Sequence, residues 1–477
     1  GTHGLLLQAA TARGAVCRAL VHKAGVGAGG AGSVRHAVLG KRVTVTRRTD
    51  GLMSALSRRD LNGKSTRIAV RSEELNGTRY AVYQLTVEPD LWPMRRDRNL
   101  RIFQSQTVPQ IVQTLLKEYA VNVETRLAGN YRVWEYCVQY QESSLDFISR
   151  LMELEGIYYF FRHEADKHTL VLCDAPDQHQ AFPGYETIAY HVTPSGGVVT
   201  EEGISQWSLE ESVTPGMYST DDYDFRKPNA WMLQARQNPA SPVPGAVDVY
   251  DWPGHFVDHS HGEFYTRIRQ EVWQVAHHSV SGTGTATGIA PGYRFGIVNA
   301  PHFSDNGEYL VTSARYDFEE NGYASGGGGA RHNIAFTVLP SSVTYRAEPA
   351  TAWPKTHGPQ TAKVVGPAGV HLDGPLRPGE GEVPLGPPGE GRRHQLVLGA
   401  RLERVGGPGV RRGADTEGER RGGGGLHQRR PGPSADNRKG VQRGEHAAVG
   451  AAGGGDADGV FKPFKGRECG HGKRAAL

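Results

Sequence analysis

Residues 135–174, EYCVQYQESSLDFISRLMELEGIYYFFRHEADKHTLVLCD, constrain the fold more than any other stretch of this chain. Ser143 and Ser144 stand before an apolar run, where a serine oxygen can take an orphan backbone N–H and start a helix. Leu145, Ile148, Leu151 and Met152 recur at three- and four-residue spacing, which lines up one buried stripe. Gly156 follows as a C′ residue, free to take positive φ and end the helix. Residues 157–161 are aromatic and β-branched, the composition of a strand. The chain then turns through EADKH and returns as a second strand over 168–173. Strand, capped helix and hairpin are thus specified within forty residues, and no nucleophile–base spacing appears among them.

The rest of the composition narrows the function classes. A chain of 477 residues holds several domains with real cores. Its 54 basic and 50 acidic residues leave a net charge of only +4, which excludes nucleic-acid binding by bulk charge. Cys17, Cys137, Cys173 and Cys469 lack C-x-x-C spacing, so they form neither a zinc ribbon nor a disulfide framework, and a reducing compartment is expected. No run of eighteen apolar residues occurs, so no helix is expected to span a membrane. GLLLQAATA near the start is short and lacks a basic flank, so no signal peptide is expected.

Along the chain, residues 39–90 read as short strands separated by turns such as Leu61-Asn62-Gly63. Residues 107–120 read as a helix capped by Thr107 with Pro109 in its first turn. Residues 180–336 alternate short strands with Gly, Pro and Asp-Asn turns, the pattern of a barrel or sandwich. The Pro-rich stretch 347–360 reads as a linker. Residues 371–477 are dominated by Gly, Arg, Pro and Ala and lack Ile, Met, Trp and Tyr, so they cannot bury enough apolar surface to offset ordering entropy; disorder is expected.

A search for chemistry returns little. Gly63-Lys64-Ser65 resembles the end of a phosphate loop, but Arg58 occupies the position that needs glycine. Residues 282–288, GTGTATG, precede no helix pattern and read as a mobile hairpin rather than a dinucleotide fingerprint. G-x-S-x-G and H-E-x-x-H are absent. His255, Asp258, His259 and His261 are the densest metal-like group, at a spacing that matches no standard zinc set. His163 and His168 read as exposed polar residues flanking a turn. Glu142, Asp146, Glu153 and Glu155 read as a solvated helix face, with Arg150 placed for i,i+4 pairing to Asp146. No catalytic, cofactor-binding or metal-ligating residue is therefore assigned, and the chain reads as a non-enzyme.

The 135–174 stretch closely resembles the signature of VgrG proteins, the spikes of type VI secretion. RIFQSQTVPQIVQTLL (101–116), YDFRKP (223–228), YDWPG (250–254), GEFYTRIR (262–269), NGEYLVTS (306–313) and HGPQTAKVVGPAG (357–369) fall in the family's order. The resemblance implies a mainly β architecture with a few short helices: paired tail-hub β-barrel domains, then an OB-fold. The implied boundaries are an uncertain segment over 1–38, a first hub domain over 39–180, a second over 181–346, linker and first OB strand over 347–370, and the tail over 371–477. It implies a homotrimer seated on the Hcp tube, with a PAAR tip protein and effectors as partners if the full-length form exists. That assembly would wait in the cytoplasm, leave through the secretion machine, use no cofactor, bind no nucleic acid and insert stably in no membrane. Tyr140, Leu145, Phe147, Ile148, Leu151, Gly156, Tyr158 and Phe160 are expected as framework positions of the signature. A phage baseplate hub is the alternative, and a secreted effector such as a cell-wall hydrolase a third reading.

The change of composition after residue 370 departs from the family, and a shifted reading frame is the hypothesis for it. GPLRPGEGEVPLGPP (374–388) can be encoded so that reading one nucleotide later spells DRYGRVKVKFPWDR, and 394–407 and 415–434 yield further strings of the same OB-fold, in order. The tail is expected to be out of frame, and AGVGAGG (24–30) suggests the same for the N-terminal segment.

Overall fold

The computed structural model describes residues 6–28, 38–48, 58–75, 78–191, 202–224, 229–237, 247–319, 331–356, 363–364 and 381–382. In chain order β1 (Leu6–Ala15), β2 (Arg18–Ala28), β3 (Arg42–Arg48), β4 (Arg58–Leu75) and β5 (Thr78–Glu88) come first. β6 (Asn99–Thr107) leads into α1 (Val108–Glu118), which Thr107 and Gln110 start with a reciprocal capping box and a proline in the first turn. β7 (Val123–Thr125) and β8 (Val133–Glu142) precede α2 (Ser144–Glu155) and the hairpin β9 (Tyr158–His163) and β10 (His168–Cys173). The second half holds β11 (Thr187–Ala189), β12 (Ile204–Glu211), β13 (Met217–Thr220), β14 (Gln234–Gln237), β15 (Asp248–Asp251), α3 (His259–His277), β16 (His278–Gly284), β17 (Arg294–Val298), β18 (Gly307–Glu319) and β19 (Arg331–Pro340). Two-residue strands β20 (Lys363–Val364) and β21 (Gly381–Glu382) pair with each other. The fold is mainly β.

Among the described residues, eleven strands form one sheet, ordered β12-β16-β19-β18-β1-β2-β5-β4-β3, with β17 on β18 and β11 on β17. The antiparallel pairing of β1 with β18, from Ala9↔Glu319 to Ala15↔Ser313, joins the first strands of the chain to its last long ones. Two cores result. One lies under α1 and α2 and contains Leu91, Phe103, Ile111, Leu115, Phe147 and Leu151. The other lies against the sheet and contains Ile204, Val280, Phe295, Val311, Tyr316 and Phe336. The hairpin β9–β10 stands at the edge of the first core, and its other face packs separately through Tyr158, Phe160, Val171 and Cys173.

Three expectations from sequence need correction. Leu61-Asn62-Gly63 is not a turn but lies within the 18-residue strand β4. There Gly63 lets the backbone of β5 approach, since a Cβ would sit 2.8 Å from the Glu88 carbonyl. Residues 282–288 are not an open hairpin. Gly282 and Gly284 lie in β16 between β12 and β19, and the turn beyond is buried, with Gly288 packed against the Tyr185 ring. The 180–336 region also contains a long helix, α3, where only strands were expected. Tyr265, Ile268 and Val272 supply its buried stripe and Asp258 its cap. Apart from the paired residues 381–382, the readings for 371–477 and for most of the OB-fold segment lie outside the described residues.

Candidate functional site at the signature helix

α2 is held at both ends by its own sequence. The Ser143 hydroxyl accepts from the Asp146 N–H at 3.0 Å, and the Ser144 N–H donates to Asp97 Oδ1 at 2.9 Å. At the other end Gly156 sits at φ +72°, and any Cβ there would collide with Ile268 on α3. Between these caps Phe147, Ile148 and Leu151 are fully buried and Leu145 nearly so. Phe147 stacks on Phe103 at a centroid distance of 5.5 Å. Tyr158 and Phe160 point from β9 to the side away from α2, Phe160 against Tyr293 and Gly292. Tyr140 lies half-buried on β8. All eight framework candidates therefore lie in one continuous unit, seven of them inside packed surfaces.

Of the carboxylates expected on a solvated face, Asp146 is exposed, Glu142 and Glu153 are half-buried and Glu155 is buried. Arg150 is 2% exposed and turns away from Asp146. Its Nε and Nη2 donate to Glu142 Oε2 and Oε1 at 2.8 and 2.6 Å, Nη2 also donates to the Val138 carbonyl at 2.8 Å, and the guanidinium lies over the Trp353 ring at 4.3 Å. Asp146 is already engaged by the Ser143 cap, and Glu142 at the end of β8 presents the bidentate geometry that arginine prefers. Glu155 is 2% exposed; burial pushes its pKa up, while Tyr265 donates to it at 3.0 Å and Trp134 at 3.3 Å. Glu153 accepts the Thr351 N–H at 3.0 Å and its hydroxyl at 2.7 Å. These carboxylates face different partners and do not converge as a general acid–base pair.

Residues 341–356 cross this unit as a strap. Arg346 donates from Nη1 to the Gly156 carbonyl at 2.9 Å and the Asp174 carbonyl at 2.6 Å, and from Nε to Glu271 at 2.7 Å. One side chain thereby ties the end of α2, the end of β10 and α3. Trp353 stacks on His255 at 3.7 Å. Sequence reading missed this strap, because its partners lie 75 to 198 residues away.

A second buried network lies at the turn of the hairpin. His168 is not exposed but fully buried beside Asp90. The Asp90 N–H donates to His168 Nε2 at 2.9 Å, so the proton resides on Nδ1, which donates to Asn62 Oδ1 at 2.9 Å. Desolvation holds the imidazole pKa down to about 4, against the pull of Asp90. Lys64 and Arg42 pair with the Asp90 carboxylate at 2.9 and 3.0 Å. Burial alone would raise the pKa of Asp90, yet these cations and His168 bring it below the usual carboxylate range. His163, half-buried, accepts the Asn62 N–H at 3.1 Å. The cluster resembles a catalytic His–Asp pair, but it is sealed and its atoms are committed to joining β3, β4, β5 and β10. Lys64 thus serves this joint and not a phosphate loop.

Of His255, Asp258, His259 and His261, only Asp258 and His261 meet through their side chains, at 3.0 Å, and the four do not gather as a metal-ligating set. Asp258 caps α3 through the His261 N–H at 3.0 Å, His259 bonds Gln234 at 2.6 Å, and His255 stacks on Trp353. The site is therefore an arrangement of packing, caps and buried ion pairs.

Residues 28–322 match the family model of the phage tail baseplate hub. The chain is 40% identical over 310 residues to the type VI secretion spike protein VgrG1c of Pseudomonas aeruginosa, covering 64% of this chain and 42% of that one. It is 40% identical over 321 residues to VgrG1a of the same organism, covering 66% and 49%. It is 32% identical to the actin cross-linking toxin VgrG1 of Vibrio cholerae, of which it covers 27%. The chain thus spans about half or less of the length of these relatives. Among solved structures, the Escherichia coli c3393 protein, a component of the type VI secretion system, superposes with a TM-score of 0.58 at 19% identity, covering 79% of this chain and 85% of that one; this shows the shared fold. With more than half its length inside the family match, the chain belongs to the phage tail baseplate hub family, among VgrG-type spike and hub proteins.

Proposed function

We propose that this chain is the hub of a type VI secretion spike, a homotrimer seated at the tip of the Hcp tube that carries effectors and, through a PAAR-capped needle, enters a target envelope. The observation that carries this reading is the 40% identity to secretion spike proteins over 310 and 321 residues of the chain. The interior supports it: ion pairs and caps bind α2 and the hairpin to distant strands, and no converging catalytic group occurs among the described residues. The exposed aromatic side chains Trp231, Tyr250 and Trp252 around β13–β15 offer surface for neighbouring subunits. The role is mechanical rather than catalytic, with the protein held at a cytoplasmic baseplate before firing and exported through the machine. The two hub domains are taken as 39–180 and 181–346, with Tyr140, Leu145, Phe147, Ile148, Leu151, Gly156, Tyr158 and Phe160 as the framework of the first.

Co-precipitation with assembled Hcp tubes tests the reading. Retention of the wild-type chain on tubes supports it, and free chain in the presence of stable tubes overturns it. A phage baseplate hub is the second reading, favoured by the family the match describes. Genes for sheath, Hcp and PAAR beside this one favour secretion, and capsid and terminase genes favour phage. The shifted-frame account of the tail is a separate proposal: resequencing across the codons for 368–388 finds an added or missing base if it holds, and an unambiguous frame ends it.

A further inference from the structure

We propose that Glu211, His277 and His278 form a binding site for a divalent transition metal of the zinc class, clasping the end of α3 to the edge of the main sheet. The proposal is independent of the spike reading. One ligand atom from each of the three side chains lies within 4.8 Å of the others, the sole group of this kind among the described residues.

The fold places these residues with little freedom. α3 ends at His277 and passes without a loop into β16 at His278. His278 is the direct cross-strand partner of Glu211 on β12, so the two side chains stand side by side on one face of the ladder. The Ser212 N–H bonds the His277 carbonyl at 3.0 Å and fixes the junction from the other strand.

The donor chemistry is that of a metal site. His277 Nδ1 lies 2.7 Å from the Ser212 carbonyl, so it carries the proton and leaves a lone pair on Nε2. A backbone carbonyl that fixes the tautomer in this way is the usual support of a ligating histidine. His278 Nδ1 lies 3.6 Å from Glu211 Oε1, beyond hydrogen-bond length but close to the ~3.3 Å edge of a tetrahedron with ~2.0 Å metal bonds. The negative end of the helix dipole adds a preference for positive charge. Two imidazoles and one carboxylate favour zinc, cobalt or nickel over calcium or magnesium, which take oxygen ligands. His278 and Glu211 are 37% and 57% exposed at the side chain, so the ion can enter and water can complete its coordination.

Titration of the tag-free, chelator-stripped full chain with zinc chloride, followed by calorimetry, tests the site, and cobalt(II) reports geometry through its visible absorption. One high-affinity zinc per chain is expected, with a cobalt band of four-coordinate intensity. His278→Gln and Glu211→Gln are each expected to weaken zinc binding by at least about tenfold. His259→Gln, at the other histidine-rich segment, is expected to leave it unchanged. Both ligand positions are partly exposed, so the variants should keep the wild-type melting curve in chelator, and that curve verifies their folding. Absence of saturable zinc binding, or equal binding by wild type and both ligand variants with wild-type melting curves, overturns the proposal.

Discussion

Residues 143–173 turn Phe147, Tyr158, Tyr159, Phe160 and Phe161 inward, so that β9 is covered on both faces, whereas residues 217–257 turn Trp231, Tyr250 and Trp252 outward. The first region is completed by its own chain: α2 on one side, Tyr293 and Tyr345 on the other, and the strap across the end. In the second, among the described residues, α3 packs beneath the small sheet through contacts such as Tyr218 with Trp273, while Trp231, Tyr250 and Trp252 stay exposed. A unit closed on both faces resists deformation, because any movement exposes apolar surface and buried charge. A unit left open on one face is the part through which copies can join. On the proposed reading, the signature unit is the rigid part and the β13–β15 region the one that meets other copies.

The comparison can be broken most severely from the closed side. Phe147→Ala removes a ring with no exposed surface and is expected to cost about 3–5 kcal/mol, read as a lower urea midpoint. Gly156→Val combines a strained left-handed backbone with the collision against Ile268 and is expected to cost about 3 kcal/mol or more. Unchanged denaturation of either variant would mean that the signature unit is not the rigid part.

Acid provides a graded test of the same region. His168 and His179 are buried neutral, with desolvation lowering each pKa to about 4 from an ordinary value near 6.5. Between these values the unfolded chain binds more protons than the folded one, so stability rises with pH. Their contribution is fully present above pH ~6.5 and is lost as the pH falls toward ~4. For His179, bonded to the Gly292 carbonyl at 2.8 Å and near the Tyr158 hydroxyl at 3.0 Å, that span is worth on the order of 3 kcal/mol. His179→Asn should lower stability at pH 7.5 and flatten the slope between pH 6.5 and 4, as measured by urea unfolding across that range.

The smallest effect belongs to the open region. Trp252→Ser is expected to change chain stability by no more than about 0.5 kcal/mol while reducing self-association, which separates folding from assembly in one sedimentation experiment.

The same contrast explains what the sequence made legible. The serine cap, the apolar stripe and the terminal glycine of α2 act within a few residues of one another, so their meaning is local and readable. Arg150 was misassigned to Asp146 because helical spacing is local, while its actual partner Glu142 comes from the preceding strand. His168 looked exposed because it borders a turn, and its burial arises from Asp90 and Asn62, 78 and 106 residues away. α3 went unread because its sparse stripe of Tyr265, Ile268 and Val272 is set among polar residues and opens on histidines. Asn62-Gly63 has turn chemistry, yet pairing with Thr44 and Val43 of β3 keeps it in a strand.

The central claim is that a rigid hub subunit assembles into threes through its open β13–β15 face. Sedimentation equilibrium of the purified full chain, alongside a Trp231→Ser/Trp252→Ser variant with an unchanged unfolding curve, tests it most directly. The account predicts a mass of three chains for the wild type and a shift toward single chains for the variant. A wild-type chain that stays monomeric at the highest soluble concentration, or a variant that remains fully trimeric, would contradict it.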